Sequence, residues 1–211
     1  MASAPSEAIA PQAILTEILG ILVEDPWARA AAELSRRTGS DVRTMRAALA
    51  ARLPSFERGG EDLEAFYREV ALVGDLAIGL DAFAEVLLES AIAVDSANVE
   101  LLQGLRERQG VRLVAVSNVP APVYEAIDRR HPISMLFDAS VLSFREGLAK
   151  PNPQVYIEAI ERSGVPPGSI LFVDTTEERV RAAAEWGLPN VLVPAPNALA
   201  PALERRFALE R

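Results

Sequence analysis

The chain has no cysteine. Disulfides, thiolate metal sites and cysteine nucleophiles are therefore excluded. Histidine occurs once, so a Ser-His-Asp triad could run only through His131. That residue follows Arg129-Arg130 and precedes Pro132, as at the end of a helix. Basic charge is outnumbered, with 21 Lys and Arg against 30 Asp and Glu, and the net charge of −9 argues against the basic face that nucleic-acid binding needs. No apolar run is long enough to cross a bilayer. Residues 1–12 are small and polar, with no basic start followed by an apolar stretch. These absences lead us to expect a soluble cytoplasmic protein with no nucleic-acid or membrane partner. Lysine is the most telling shortage. Of 21 cationic side chains, Lys150 alone is lysine. A compact ammonium kept against such a bias points to a place where a flat guanidinium does not fit.

What is present reads as α/β. The 211 residues suffice for a real core, and 50% of them are hydrophobic. Ala13–Val23 is short, apolar and β-branched, which predicts a first strand. Asp25-Pro26 then starts a helix, with aspartate as cap and proline at the first position. Residues 26 to about 92 read as helices only: 26–38, one capped by Asp41 and ending before Pro54, then roughly 61–73 and 80–91. From Ser96, expected as a cap, helices and strands alternate. Strands are expected at 111–116, 139–143, 169–173 and 190–193, and helices at 96–108, 120–130, 152–163, 176–186 and 200–209. Apolar strands alternating with helices predict a parallel sheet covered on both faces. The domains are accordingly 1–25 with 96–211 as an α/β core, and 26–95 as an inserted helical cap over the sheet's carboxyl edge.

Parallel sheets bind ligands beyond the carboxyl ends of their strands. The loops there hold Glu17 and Gly20, Ser117-Asn118, Lys150, and Asp174-Thr175. Two carboxylates, a hydroxyl, an amide and an ammonium could hold an anion against a divalent cation. In order and spacing these stretches resemble the haloacid dehalogenase-like (HAD) hydrolase superfamily. The matching segments are Glu17-Ile18-Leu19-Gly20-Ile21-Leu22, Val116-Ser117-Asn118, Lys150-Pro151-Asn152-Pro153 and Phe172-Val173-Asp174-Thr175. The resemblance implies a Rossmann-like core with a helical cap. It also implies an anion site of Ser117, Asn118 and Lys150, and catalytic roles at Glu17 and Lys150. Metal ligation would come from Glu17, Asp174 and the Leu19 backbone, with Glu178 as a substitute acid. It allows magnesium as cofactor without requiring it, and either a monomer or a homodimer as the assembly.

The departures matter as much. The family's nucleophilic aspartate is Glu17, one methylene longer, and its second aspartate is Leu19, which cannot transfer a proton. The binding half of the site is kept and the reacting half is altered. The expected function is thus a hydrolytically impaired HAD-like protein that binds a small anionic metabolite, a phosphate or carboxylate. Two alternatives stand beside it. One is an active magnesium-dependent phosphatase or 2-haloacid dehalogenase-type hydrolase using Glu17. The other is a non-hydrolytic enzyme with Glu17 as general base. Structural roles remain open too: a Glu17–Lys150 ion pair, a helix cap at Asp174, a strand-end turn at Ser117-Asn118, and Glu177 and Glu178 as dipole-favoured acids. In the cap, Trp27, Phe56, Phe66, Tyr67 and Phe83 are expected in its core rather than the cleft. Arg29, Arg52 and Arg58 are expected to be solvated rather than ligand-reaching. Trp186 is expected against the sheet.

Overall fold

A computed structural model describes residues 10–207. Five parallel strands form one sheet in the order β3-β2-β1-β4-β5. They are β1 (Ala13–Thr16), β2 (Arg112–Ser117), β3 (Ala139–Leu142), β4 (Ile170–Asp174) and β5 (Asn190–Leu192). The central strands are buried along nearly their whole length, as their apolar runs require. One face packs Val155, Tyr156 and Ala159 of α8 (Pro153–Ser163) and Ala183 of α9 (Glu177–Ala184). The other face packs α5 (Ser96–Gln109), α6 (Ala121–Arg130) and α10 (Leu199–Phe207) through Leu102, Leu105, Ile127 and Leu203. The single turn α7 (Ser143–Glu146) follows β3.

Between β1 and α5 come α1 (Pro26–Thr38), α2 (Val42–Glu57), α3 (Leu63–Gly74) and α4 (Leu80–Ser90). Aspartates cap three of them. Asp25, Asp41 and Asp62 accept from Trp27 N, Thr44 N and Ala65 N at 3.0, 2.9 and 2.8 Å. The four helices close on aromatic rings. Phe56 stacks on Phe66 at 4.2 Å, with Phe83 6.0 Å further on. Tyr67 packs on Phe83 and donates to Ile78 O at 2.8 Å. These aromatics therefore form the interior of the helical block, and Trp27 packs half-buried against the same cluster.

Several boundaries differ from the sequence expectations. β1 stops at Thr16, and Ile18–Val23 is a tight turn in which Leu22 N and Val23 N both donate to Ile18 O. Its side chains are buried, which is why the run reads as strand. α2 continues through Pro54 to Glu57. Proline removes one backbone donor from the helix, and Phe56, two residues on, is buried. The cap of α5 is Asp95, which accepts from Asn98 N at 2.9 Å, and Ser96 is the first helical residue. Trp186 lies beyond the end of α9 and is exposed, while Ala183 and Leu188 fill the place expected for it. α10 is described to Phe207, so its expected extension to Leu209 lies outside the described residues.

Candidate active site

β1 is central, with β2 on one side and β4 on the other, so Glu17, Ser117 and Asp174 emerge side by side at the carboxyl edge. Successive connections leave β1 in opposite directions here, the crevice where such sheets bind ligands. Gly20 shapes the turn after Glu17. Its φ is +83°, and a Cβ there would lie 2.9 Å from Thr175 Cγ2. Glycine alone allows both the left-handed backbone and this approach of the first loop to the fourth.

Lys150 enters from the loop after α7. Asn118 positions it with two bonds to the Lys150 backbone: Lys150 N donates to Asn118 Oδ1 at 2.9 Å, and Asn118 Nδ2 donates to Lys150 O at 3.0 Å. The lysine side chain is fully buried. Its Nζ donates to Glu17 Oε2 at 3.0 Å, to Val116 O and to Asp174 Oδ2. An ammonium has three N–H donors, and all three are taken. This accounts for the chain's one lysine, because a planar guanidinium could not meet three acceptors converging on one point.

Glu17 is 1% exposed. Oε1 accepts from Ile18 N at 2.8 Å, Leu19 N at 3.4 Å and Ser117 Oγ. Oε2 accepts from Asn118 N at 3.2 Å, Lys150 Nζ at 3.0 Å and Arg179 Nη1 at 3.2 Å. Six donors thus converge on two oxygens, which offer about four lone-pair positions. Burial pushes this carboxyl up. The Lys150 and Arg179 charges, with the hydrogen bonds from Ser117 and Lys150, outweigh burial and hold it below the ordinary glutamate value.

The structure thus brings together Glu17, Ser117, Asn118, Lys150 and Asp174. It does not bring in Glu178, which is exposed in the first turn of α9. The residue that reaches the centre from this helix is Arg179, whose Nη1 also lies 3.6 Å from Asp174 Oδ1. Burial lowers the Arg179 pKa, but Glu17, Asp174 and Glu57 together raise it above the ordinary value. Asp174 is fully buried, and its Oδ1 accepts from Thr176 N at 3.1 Å, a turn bond that starts α9. Of the cap arginines, Arg52 pairs with Glu61 at 3.0 Å, and Arg29 and Arg58 are exposed.

Glu57 is the second residue the sequence did not single out. It ends α2 and is 8% exposed, with no hydrogen bond to its carboxyl among the described residues. Its carbonyl accepts from Ser143 Oγ at 2.5 Å, and Ser143 Oγ in turn accepts from Val119 N at 2.9 Å. The cap is thereby tied to the loop that carries Asn118. Burial, which Glu17 and Asp25 reinforce and Arg179 and Lys150 oppose, pushes the Glu57 carboxyl up to about 8.

Magnesium fits this arrangement poorly. It demands near-octahedral oxygen ligation at about 2.0–2.1 Å. Both carboxylates are already bridged by Lys150 and Arg179. Among the described residues, no cluster of three or more His, Cys, Asp or Glu side chains could hold a metal ion. No helix among them is long and apolar enough to cross a membrane.

Comparison with known proteins agrees with the fold. A solved predicted HAD-like family hydrolase from Porphyromonas gingivalis superposes with a TM-score of 0.76 and 20% identity, covering 95% of this chain and all of that one. A HAD family enzyme of Bacteroides thetaiotaomicron, solved with magnesium and inorganic phosphate, has a TM-score of 0.70 and 16% identity over 86% of this chain and 93% of its own. A sesquiterpene phosphatase of Aspergillus oryzae is 31% identical over 94 residues, 44% of this chain and 47% of its own. The chain spans about half the length of the curated relatives it matches. A family profile for the haloacid dehalogenase-like hydrolases matches residues 6–187. The chain belongs to the haloacid dehalogenase-like hydrolase family.

Proposed function

We propose that this chain is a hydrolytically silent member of its family, because its own Glu17 fills the anion cradle. The supporting observation is where the donors go. The Ser117 hydroxyl, the Asn118 amide and one Lys150 N–H all serve Glu17, and the other two Lys150 donors serve Val116 O and Asp174. The extra methylene of glutamate carries the carboxylate to where an incoming phosphate or carboxylate would need those donors. A carboxylate accepting six hydrogen bonds has no lone pair free for attack. Leu19 beside it supplies no proton. A small anionic metabolite, the expected ligand, gains the cradle only by displacing Glu17. A general-base role for Glu17 also loses support, since a base works best with a pKa near the operating pH and this one is held below its ordinary value. We propose residues 26–95 as a cap unit tied to this core through Glu57 and Ser143.

A panel of phosphomonoesters and 2-haloacids tests the reading. The expected result is no phosphate or halide release above background, with or without magnesium. Release that Glu17→Ala abolishes would overturn it. A binding arm complements the assay: inorganic phosphate should raise the melting temperature of Glu17→Ala and leave the wild type unshifted. One observation favours the active alternative, namely the buried Glu57 carboxyl, pushed up to about 8, that α2 brings to the edge of the centre. If Glu57 replaces the missing acid, Glu57→Gln should cut turnover about 10²–10⁴-fold.

A further inference from the structure

We infer that the Arg179 guanidinium is the resident cation of this centre and takes the position a divalent metal would need. Glu17 and Asp174 end neighbouring strands and are both buried. Lys150 bridges them through Glu17 Oε2 and Asp174 Oδ2. Arg179 bridges them a second time, at 3.2 Å from Glu17 Oε2 and 3.6 Å from Asp174 Oδ1. Two carboxylates and two cations leave no net charge. A divalent ion sharing Glu17 Oε2 and Asp174 Oδ1 would have to evict the guanidinium. If it did not, it would add two charges to a neutral cluster in a low-dielectric interior. The placement of Arg179 argues the same way. It lies in the first turn of α9, where a cation opposes the helix dipole. It is also largely desolvated, which disfavours charge. Glu17 and Asp174 offset both costs, so the three side chains are matched to one another. Arginine stays charged at any working pH, so the cation cannot leave by deprotonation.

This inference does not depend on hydrolytic silence, since a chain that hydrolysed without a metal would satisfy it. Metal uptake is therefore the readout. Manganese titration followed by electron paramagnetic resonance would compare the wild type with Arg179→Ala. The expected result is no saturable uptake by the wild type and at least tenfold tighter uptake by the variant. Adding Asp174→Asn to the variant should abolish that uptake. In parallel, magnesium at ten times the variant's Kd should raise its melting temperature by roughly 3–5 °C over sodium chloride of matched ionic strength, and leave the wild type unshifted. Wild-type uptake as tight as the variant's would overturn the inference, as would a folded Arg179→Ala that binds no tighter. Should Arg179→Ala fail to fold, the wild-type titration still decides: saturable sub-millimolar uptake refutes the inference, and none supports it.

Discussion

At position 17 one methylene carries a carboxylate into contact with Ser117, Asn118 and Lys150, and the neighbouring residues are fitted to that reach. Lys150 is the counterpart on which this depends. Lys150→Met would leave Glu17 and Asp174 facing each other with only Arg179 between them. Breaking a buried pair in this way costs about 3–5 kcal/mol. The midpoint of urea unfolding should fall accordingly, and an unchanged midpoint would show that the pair contributes nothing. Gly20 offers a second test. Gly20→Ala meets both a φ of +83° and the Thr175 methyl, so a loss of roughly 1–3 kcal/mol is expected. Thr175→Ser removes that methyl. In a double-mutant cycle it should recover the steric part and leave the backbone strain of about 1 kcal/mol. Five of the clustered residues were legible in the sequence, because each ends or directly follows a strand or stands out by composition. Arg179 and Glu57 were not. An arginine among twenty carries no compositional signal, although a cation in a helix's first turn is itself a small anomaly. Glu57 was hidden by Pro54, which made α2 look finished before it reached the centre.

Helix and strand identity followed from period and caps, whereas boundaries failed where burial imitates a pattern. Ile18–Val23 is apolar because the turn is enclosed on all sides, and an apolar run alone cannot distinguish an enclosed turn from a buried strand. The end of α2 is the element with the clearest pH signature. Its Glu57 carboxyl rises from an ordinary value of 4.5 to about 8, with Arg179, Glu17, Lys150 and Asp25 as the charged groups that act on it. Between those values the folded chain keeps a proton that the unfolded chain has released. The unfolded state therefore binds fewer protons, and stability falls as pH rises through the window, by up to about 1.4 kcal/mol per pH unit. Glu17, Glu33 and Glu146 are shifted the other way, so their contributions are complete above the ordinary carboxylate range and fade only on acidification. Unfolding free energies measured from pH 5.5 to 8 should decline for the wild type and flatten for Glu57→Gln. Parallel curves for the two proteins would mean that Glu57 ionises normally.

Cap and sheet share one apolar interior. Ala30, Met45, Phe56, Phe66 and Phe83 of the helical block belong to the same buried cluster as Ile14, Leu113 and Leu171 of the sheet, joined through Ile18, Leu22 and Val23 of the first turn. The sequence led us to expect two units, because residues 26 to about 92 read as helices only, whereas strands and helices alternate from Ser96 onward. It could not show that the turn after β1 welds them, since Ile18–Val23 reads as strand. A weld of this kind predicts cooperative unfolding. The chain carries a reporter on each side, Trp27 at the start of α1 and Trp186 after α9. In the single-tryptophan variants Trp27→Phe and Trp186→Phe, fluorescence follows core and cap separately. Coincident denaturation midpoints are expected, as two-state unfolding requires. Phe66→Ala, which removes the ring at the middle of the aromatic stack, should lower stability by about 3–5 kcal/mol. It should move both tryptophan signals together. If that variant shifted Trp27 while Trp186 kept its midpoint, the cap would unfold on its own. The Glu57–Ser143 tie would then be a contact between separable bodies, and the centre beneath it could open without loss of the sheet.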